Sequence, residues 1–385
     1  MKKKYCIILG DGMADEPLSE LSGMTPLEAA HTPNMDYIAR EGAMGLLKTV
    51  PDGFAPGSDI ANLSVLGYDP AECYTGRGAL EAASMGISLE GDDFAYRCNL
   101  VTIKNGILED FNAGHITSDE GALLLKTLNQ HLQGIVCHAG ISYRNLLIIP
   151  GGQGCESTPP HDITGQPFRD FLPAGPDAER LIKAMKKSHE IFMNHQVNLD
   201  RIKNAMKPAT SIWPWSGGKR PQMRSFKEMT GLSGGIISAV DLLNGIGVYA
   251  GMEIIRVPGA TGFIDTDYQA KARYAIRALE KLDFLFIHVE APDEAGHMGS
   301  IEEKVKAIER VDEMIGTIIK EFDGRIAVLP DHPTPVRIKT HTAEPVPFAI
   351  LGKDKDSTTR FSEKEGAKGM YGLMPGTGLI PLLIS

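Results

Sequence analysis

The stretch Ile287-His288-Val289-Glu290-Ala291-Pro292-Asp293-Glu294-Ala295-Gly296-His297 is where an apolar run, strand-like from Phe284 to Val289, stops at a proline and polar side chains follow at once. An apolar run of that length, unbroken by polar alternation, is the pattern of a parallel strand covered on both faces. If the chain turns helical after Pro292, Asp293 and His297 stand four residues apart on one face, a spacing from which a carboxylate and an imidazole reach one divalent cation. The same spacing occurs on ordinary solvated helices, so the stretch gains meaning only from others like it.

Two others are present. Tyr5 to Leu9 is a short buried-type run ending in Gly10-Asp11-Gly12, where flanking glycines let the backbone turn and leave a carboxylate at the strand's C-terminal end. No dinucleotide fingerprint follows, because the third glycine is missing. Ile326 to Leu329 is another such run, delivering Pro330-Asp331-His332-Pro333-Thr334-Pro335, an acid and an imidazole fenced by prolines that forbid a helix; His341 follows nearby. Open α/β sheets place their ligands at the carboxyl ends of strands, so the three runs predict that Asp11, Asp293, His297, Asp331, His332 and His341 converge on one edge. Between the last two runs, Ile301 to Phe322 carries apolar residues at 305, 308, 311, 315, 318 and 322, a helix that covers the sheet.

Six carboxylate and imidazole ligands suit two metal ions. Oxygen and nitrogen donors without thiolate point to Mn²⁺, Zn²⁺ or Mg²⁺, the imidazoles favouring the first two. Ser58 opens a helix marked by Ile60, Leu63 and Leu66. A serine there reads as a cap, or as an oxygen that the helix N-terminus and nearby cations activate as a nucleophile. Thr32 before Pro33 reads as the cap of another helix.

Length and composition bound these readings. A chain of 385 residues with 42% hydrophobic content holds two folded domains or one large domain with an insertion. Net charge is −10, which argues against a nucleic-acid footprint. The apolar run after Met1-Lys2-Lys3-Lys4 is too short for a signal peptide, no stretch approaches a membrane span, and five scattered cysteines form no C-x-x-C pair. A cytoplasmic enzyme is the expectation; nothing in the sequence sets its oligomeric state.

The expected fold class is α/β: a core of residues 1–88 and 171–385, with a mostly parallel sheet flanked by helices, plus a smaller inserted α+β domain at 89–170. The insert follows the polar break Glu90-Gly91-Asp92-Asp93 and ends in the Gly/Pro-rich segment from Pro150 to Pro176. Its Arg97, Arg144 and His161 are candidate clamps for an anionic substrate. Lys219, in the loop after Ile212-Trp213-Pro214-Trp215, and Lys271, opening a helix towards Leu282, are further candidates. No P-loop can be drawn through Ser216-Gly217-Gly218-Lys219-Arg220.

Taken together, Gly10-Asp11-Gly12, Pro56-Gly57-Ser58-Asp59, Ala291-Pro292-Asp293-Glu294-Ala295-Gly296-His297, Pro330-Asp331-His332-Pro333-Thr334-Pro335 and Thr340-His341-Thr342 resemble the cofactor-independent phosphoglycerate mutases of the compact archaeal type, within the alkaline phosphatase superfamily. Trp213-Pro214-Trp215 and Ser238-Ala239-Val240-Asp241-Leu242 extend the resemblance nearly end to end. It implies an alkaline-phosphatase-like core and a glycolytic mutase that interconverts 2- and 3-phosphoglycerate through a phosphoserine. It implies that Ser58 is the nucleophile and shares one metal with Asp11, Asp331 and His332, while Asp293, His297 and His341 hold the other. The insert is then a lid that keeps water from turning the mutase into a phosphatase. A branch of this family proposed to be homoserine kinases shares the metal site, and Lys48-Thr49-Val50-Pro51 through Ala79-Leu80-Glu81-Ala82-Ala83-Ser84-Met85-Gly86 resembles that branch at least as closely. A homoserine kinase-like phosphotransferase and a metal-dependent phosphatase are thus the alternatives; the missing phosphate-cradling glycine loop favours the mutase. A regulatory relative without chemistry is disfavoured, since the nucleophile and all six ligand positions are filled.

Overall fold

The computed structural model describes residues 3–385, and the chain divides into two compact units, one running up to Tyr74 and resuming at Gln222–Ser385, the other spanning Thr75–Pro221. In chain order the strands are β1 (Tyr5–Gly10), β2 (Ala43–Lys48), β3 (Phe94–Lys104), β4 (Ile107–Asp110), β5 (Val136–Ile141), β6 (Arg144–Ile149), β7 (Ser211–Lys219), β8 (Gly234–Ile237), β9 (Glu253–Ile254), β10 (Phe284–Val289), β11 (Arg325–Leu329), β12 (Val346–Leu351) and β13 (Leu373–Pro375).

The first unit is built on one sheet of order β13-β2-β12-β11-β1-β10-β8-β9. Its centre is parallel, with β1 between β11 and β10, and β8 and β9 beyond; β12 alone runs antiparallel, to both β11 and β2. This is the expected α/β class with a mostly parallel sheet. Every residue of β1, β10 and β11 is buried, which is why these runs lack polar alternation. Register then fixes the function: Gly10 pairs with Val289 and Leu9 with Leu329, so the three strands end level and their next residues leave from one edge.

The helix Ile301–Glu321 packs Ile308, Val311, Ile315 and Ile318 into the core as its period predicts. Its Asp312 also corrects the reading of Thr32. Thr32 stands at the cap position of helix Pro33–Glu41 but its hydroxyl makes no cap bond; Asp312 instead accepts from the backbone N–H groups of Asn34 (3.0 Å) and Met35 (2.7 Å). A full carboxylate at a helix N-terminus complements the dipole better than a hydroxyl.

The second unit is an antiparallel sheet, β4-β3-β6-β5 with β7 on the other side of β3, covered by helices Ser118–Asn129 and Ala178–Phe192. Its limits differ from the expected 89–170. Strand β7, carrying Trp213 and Trp215, pairs with β3 from Phe94↔Lys219 to Val101↔Ser211, which ties the segment after 170 into the same core. The Gly/Pro-rich segment that suggested a crossing back is an internal loop, closed on itself by the Glu156–Ala174 bridge.

Candidate metal and nucleophile centre

At the level ends of β1, β10 and β11 the structure gathers the side chains that the sequence spaced over more than three hundred positions. Asp11 leaves β1 with its backbone N–H bonded to Val289 O at 2.9 Å. Asp331 leaves β11 and is held from three directions: Gly12 N (3.1 Å) and His332 N (2.9 Å) donate to Oδ1, and the Asn62 amide donates to Oδ2 (2.9 Å). The same amide donates to Ser58 O at 2.8 Å and so pins the start of helix Ser58–Val65 to the strand end. Gly57, not Ser58, is the cap residue, and no side chain caps this helix. The Ser58 hydroxyl lies instead 3.2 Å from His332 Nε2, which itself stands 3.5 Å from Asp11 Oδ1 and 3.5 Å from Asp331 Oδ2. A cap would have turned this oxygen back to its own backbone; here it faces two acids and an imidazole.

Pro292 starts helix Ala291–Met298, and the i,i+4 pair forms as expected: His297 Nε2 is 3.1 Å from Asp293 Oδ2. His341 Nε2 is 3.4 Å from Asp293 Oδ1, and the Thr334 hydroxyl donates to that same oxygen at 2.5 Å. His297 Nδ1 donates to Lys339 O at 2.9 Å, which leaves Nε2 as the atom aimed inward, 3.0 Å from His341 Nε2. Two imidazole nitrogens at that distance, beside one carboxylate, repel unless a proton or a cation lies between them.

Burial and mutual repulsion dominate the electrostatics of this cluster. Burial, then the neighbouring Asp331, Glu290 and Asp293, push the Asp11 carboxyl well above its usual range. Burial and Asp293 raise Glu290 to about 8. Burial also works against ionised Asp293, but its bonds to His297 and His341 prevail and hold it well below the usual range; the bond to Asp293 in turn raises His297 to about 9. Ligand atoms lie within 4.8 Å of one another in three groups: Asp293, His332 and His341; Asp11, Asp331 and His332; and Asp11, His288 and Glu290. The buried Asp11 Oδ1 and Glu290 Oε2 have no hydrogen-bond partner among the described residues. Oxygen and nitrogen donors, with two orphaned carboxylate oxygens, fit divalent cations, whose binding would displace the proton held at His297.

All seven residues expected at this centre are therefore brought together. The sequence reading gave no role to His288, which it read as part of a strand, or to Glu290, and it missed the supporting Asn62 and Thr334. An imidazole inside the otherwise apolar Phe284–Val289 was the available signal, since burial of a titratable group needs a partner. Burial pushes His288 down to about 3, so the ring is neutral. Lys271 is also fully buried, donating to His288 O at 2.9 Å, and burial lowers it to about 8.

Within the second unit, Arg97 pairs with Glu81 at 2.8 Å and lies over the Trp215 ring at 4.1 Å, and His161 meets the same ring edge-on at 5.3 Å. Arg144 opens β6 opposite Asn99, exposed to solvent. Lys219 ends β7 and pairs with Asp92 at 3.5 Å. Arg97 and His161 thus share one aromatic platform, and the Arg144 charge lies near enough to bear on Arg97.

A mostly parallel α/β sheet whose strand ends present a hydroxyl, acids and imidazoles to one another defines an α/β enzyme with a candidate two-cation centre. The chain's relatives agree. The family model for 2,3-bisphosphoglycerate-independent phosphoglycerate mutase matches residues 39–198. A protein of that name from Methanosarcina acetivorans is 50% identical over 99% of both chains, and one named as probable from Geobacter sulfurreducens is 48% identical over 95% of this chain and 93% of its own. Among solved structures, a Pyrococcus horikoshii protein superposes with a TM-score of 0.87 at 32% identity, covering 100% of this chain and 97% of that one. The cofactor-independent phosphoglycerate mutase of Thermoplasma acidophilum superposes with a TM-score of 0.69 at 25% identity, over 99% of each. The chain belongs to the 2,3-bisphosphoglycerate-independent phosphoglycerate mutase family and is an enzyme of the isomerase class.

Proposed function

We propose that the protein interconverts 2-phosphoglycerate and 3-phosphoglycerate by way of a phosphoserine at Ser58. The observation that carries this reading is the placement of Ser58 Oγ, released from capping and 3.2 Å from His332 Nε2 beside Asp11 and Asp331. Ser58 Oγ attacks phosphorus and gives up its proton, the bond from phosphorus to the glycerate oxygen breaks, and that oxygen takes up a proton in its place, which frees glycerate within the site. Glycerate then turns so that its other hydroxyl attacks phosphoserine, which frees Ser58. Two divalent cations, Mn²⁺ or Zn²⁺ with Mg²⁺ as a further option, fit between Asp11, Ser58, Asp331 and His332 on one side and Asp293, His297 and His341 on the other; bound there they supply charge stabilisation for the attacking and leaving oxygens. Asn62 orients both Asp331 and the backbone of Ser58, and Thr334 fixes Asp293. Arg97, with Arg144, His161 and Lys219, is assigned to the substrate's anionic groups. The buried Lys271 acts indirectly, through the His288 carbonyl.

With manganese and 3-phosphoglycerate, the wild-type chain gains the mass of one phosphoryl group on Ser58, and Ser58→Ala gains none and loses turnover. A Ser58→Ala variant with undiminished isomerisation sinks the assignment.

A further inference from the structure

We propose that His288 is a positioning residue: it holds Asp11 so that one carboxylate oxygen, and not the other, is left for the reacting centre. The proposal rests on the reading of Asp11 and Ser58 given above.

The argument is a directed chain of hydrogen bonds. Val240 N donates to Ser238 Oγ at 3.0 Å and holds that hydroxyl in place beside β10. Ser238 Oγ lies 3.3 Å from His288 Nδ1. A neutral imidazole that accepts at Nδ1 carries its hydrogen on Nε2, and Nε2 lies 2.8 Å from Asp11 Oδ2. Direction is set from the carboxylate inward: an ionised Asp11 only accepts, so His288 Nε2 carries the hydrogen and Nδ1 is left to accept from the Ser238 hydroxyl. At the far end Asp11 Oδ1 is buried, has no hydrogen-bond partner among the described residues, and is the oxygen that stands 3.5 Å from His332 Nε2. The ring is held by its two hydrogen bonds and by full burial in β10, and Lys271 Nζ donates to the His288 carbonyl at 2.9 Å, which anchors the backbone beneath it. An outer histidine that donates to a ligating carboxylate orients the ligand, and its loss commonly costs about 10–100-fold in metal affinity or activity.

A histidine that only fills the core would behave differently, and three variants separate the cases. His288→Leu keeps the volume and removes the donor; His288→Gln keeps an amide donor near the position of Nε2; Ser238→Ala leaves the ring but removes the hydroxyl that donates to Nδ1. We expect His288→Leu to lower kcat by about 10–100-fold, to weaken manganese binding in calorimetry by a similar factor, and to leave KM for 3-phosphoglycerate within about twofold, since substrate contacts are untouched. His288→Gln should recover most of both losses, and Ser238→Ala should weaken manganese binding in the same direction by less. Wild-type kcat and manganese affinity in His288→Leu overturn the proposal, as does an equal loss in Leu and Gln. If His288→Leu does not fold by circular dichroism, Ser238→Ala decides, and unchanged manganese binding there overturns it. Ser58→Ala run alongside distinguishes the layers: an inert Ser58→Ala with a fully active His288→Leu removes this inference alone, whereas an active Ser58→Ala removes the underlying reading and this one with it.

Discussion

Adding one methyl group at Gly12 tests whether the strand ends are as tightly assembled as the distances say. Gly12 has φ near +60°, and a Cβ built there meets Thr334 Oγ1 at 2.6 Å, Asp293 Oδ1 at 2.7 Å and Asp293 Cα at 2.8 Å. Two of these contacts involve groups that cannot swing aside cheaply. Asp293 Cα is backbone in helix Ala291–Met298, and the Thr334 hydroxyl is engaged with Asp293 and lies 3.3 Å from His332 Nδ1. Gly12→Ala therefore carries two costs: about 1–2 kcal/mol for a left-handed non-glycine residue, and a further 1–3 kcal/mol or so for overpacking. Gly23→Ala is the internal standard, because Gly23 has φ near +81° and nothing within 4 Å of its added Cβ, so it bears only the first cost. The steric difference of about 1–3 kcal/mol corresponds, for a chain of this length, to a melting temperature lower by roughly 1–4 °C in Gly12→Ala than in Gly23→Ala. Activity should part more sharply. Displacing Asp293 by a fraction of an ångström disturbs the group that His297 and His341 share, and kcat in Gly12→Ala should fall by about 100-fold while Gly23→Ala stays near wild type. Thermal scans and a coupled mutase assay on both proteins give the answer. Equal melting temperatures and equal kcat for the two variants would refute the packing on which the site description depends.

Lys304 is fully buried, with its ammonium donating to Asp15 Oδ2 (2.8 Å), Ala14 O (3.1 Å) and Thr334 O (2.8 Å); Lys304→Met strands Asp15 and should cost about 3–5 kcal/mol, read as a large drop in melting temperature. Burial raises Glu363 to about 6 from a usual 4.5, so the folded state binds its proton more tightly; the resulting stabilisation is complete below about pH 4.5 and is lost as pH rises through 6. Glu363→Gln should accordingly gain melting temperature relative to wild type between pH 4.5 and 6.5, and a difference that shrinks over that window contradicts the assignment. Chelation should abolish turnover and lower the melting temperature, with manganese restoring both; a chelated protein that keeps full isomerase activity rules out cations at Asp293, His297 and His341. Arg97→Met removes the charge stacked on Trp215 and should raise KM for 3-phosphoglycerate more than tenfold, a change absent if Arg97 serves only its bond to Glu81.

The distinction between what the sequence disclosed and what it withheld follows from the range of the interactions. Strands β1, β10 and β11 were legible because burial on both faces leaves one compositional pattern, and the residue that ends such a run is fixed by that same local chemistry. Asp11, Asp293 and Asp331 could thus be placed at one edge before any coordinates, and His297 followed from helical spacing alone. The cap at Thr32 failed because its winner, Asp312, comes from a helix 280 or so positions away, and no local rule weighs a distant carboxylate against an adjacent hydroxyl. The extent of the second unit failed for the same reason. Residues after 170 join it through the pairing of β7 with β3, a register that neither strand's own composition announces.

His288 lies between these extremes and shows what such a signal is worth. It is the fifth of six consecutively buried residues, and a buried imidazole without a partner costs more than any neighbouring leucine would gain. The sequence therefore required that something bond both nitrogens. It could not say that the partners are Ser238 at the end of β8 and Asp11 at the end of β1, the strands on either side of β10. Parallel neighbours that end level make that connection available, since a side chain near the end of the middle strand can touch both flanking turns. The polar group inside an apolar run is thus the point where sheet register passes into catalytic geometry: a one-residue slip of β10 would turn His288 to the other face, and Asp11 would lose its donor.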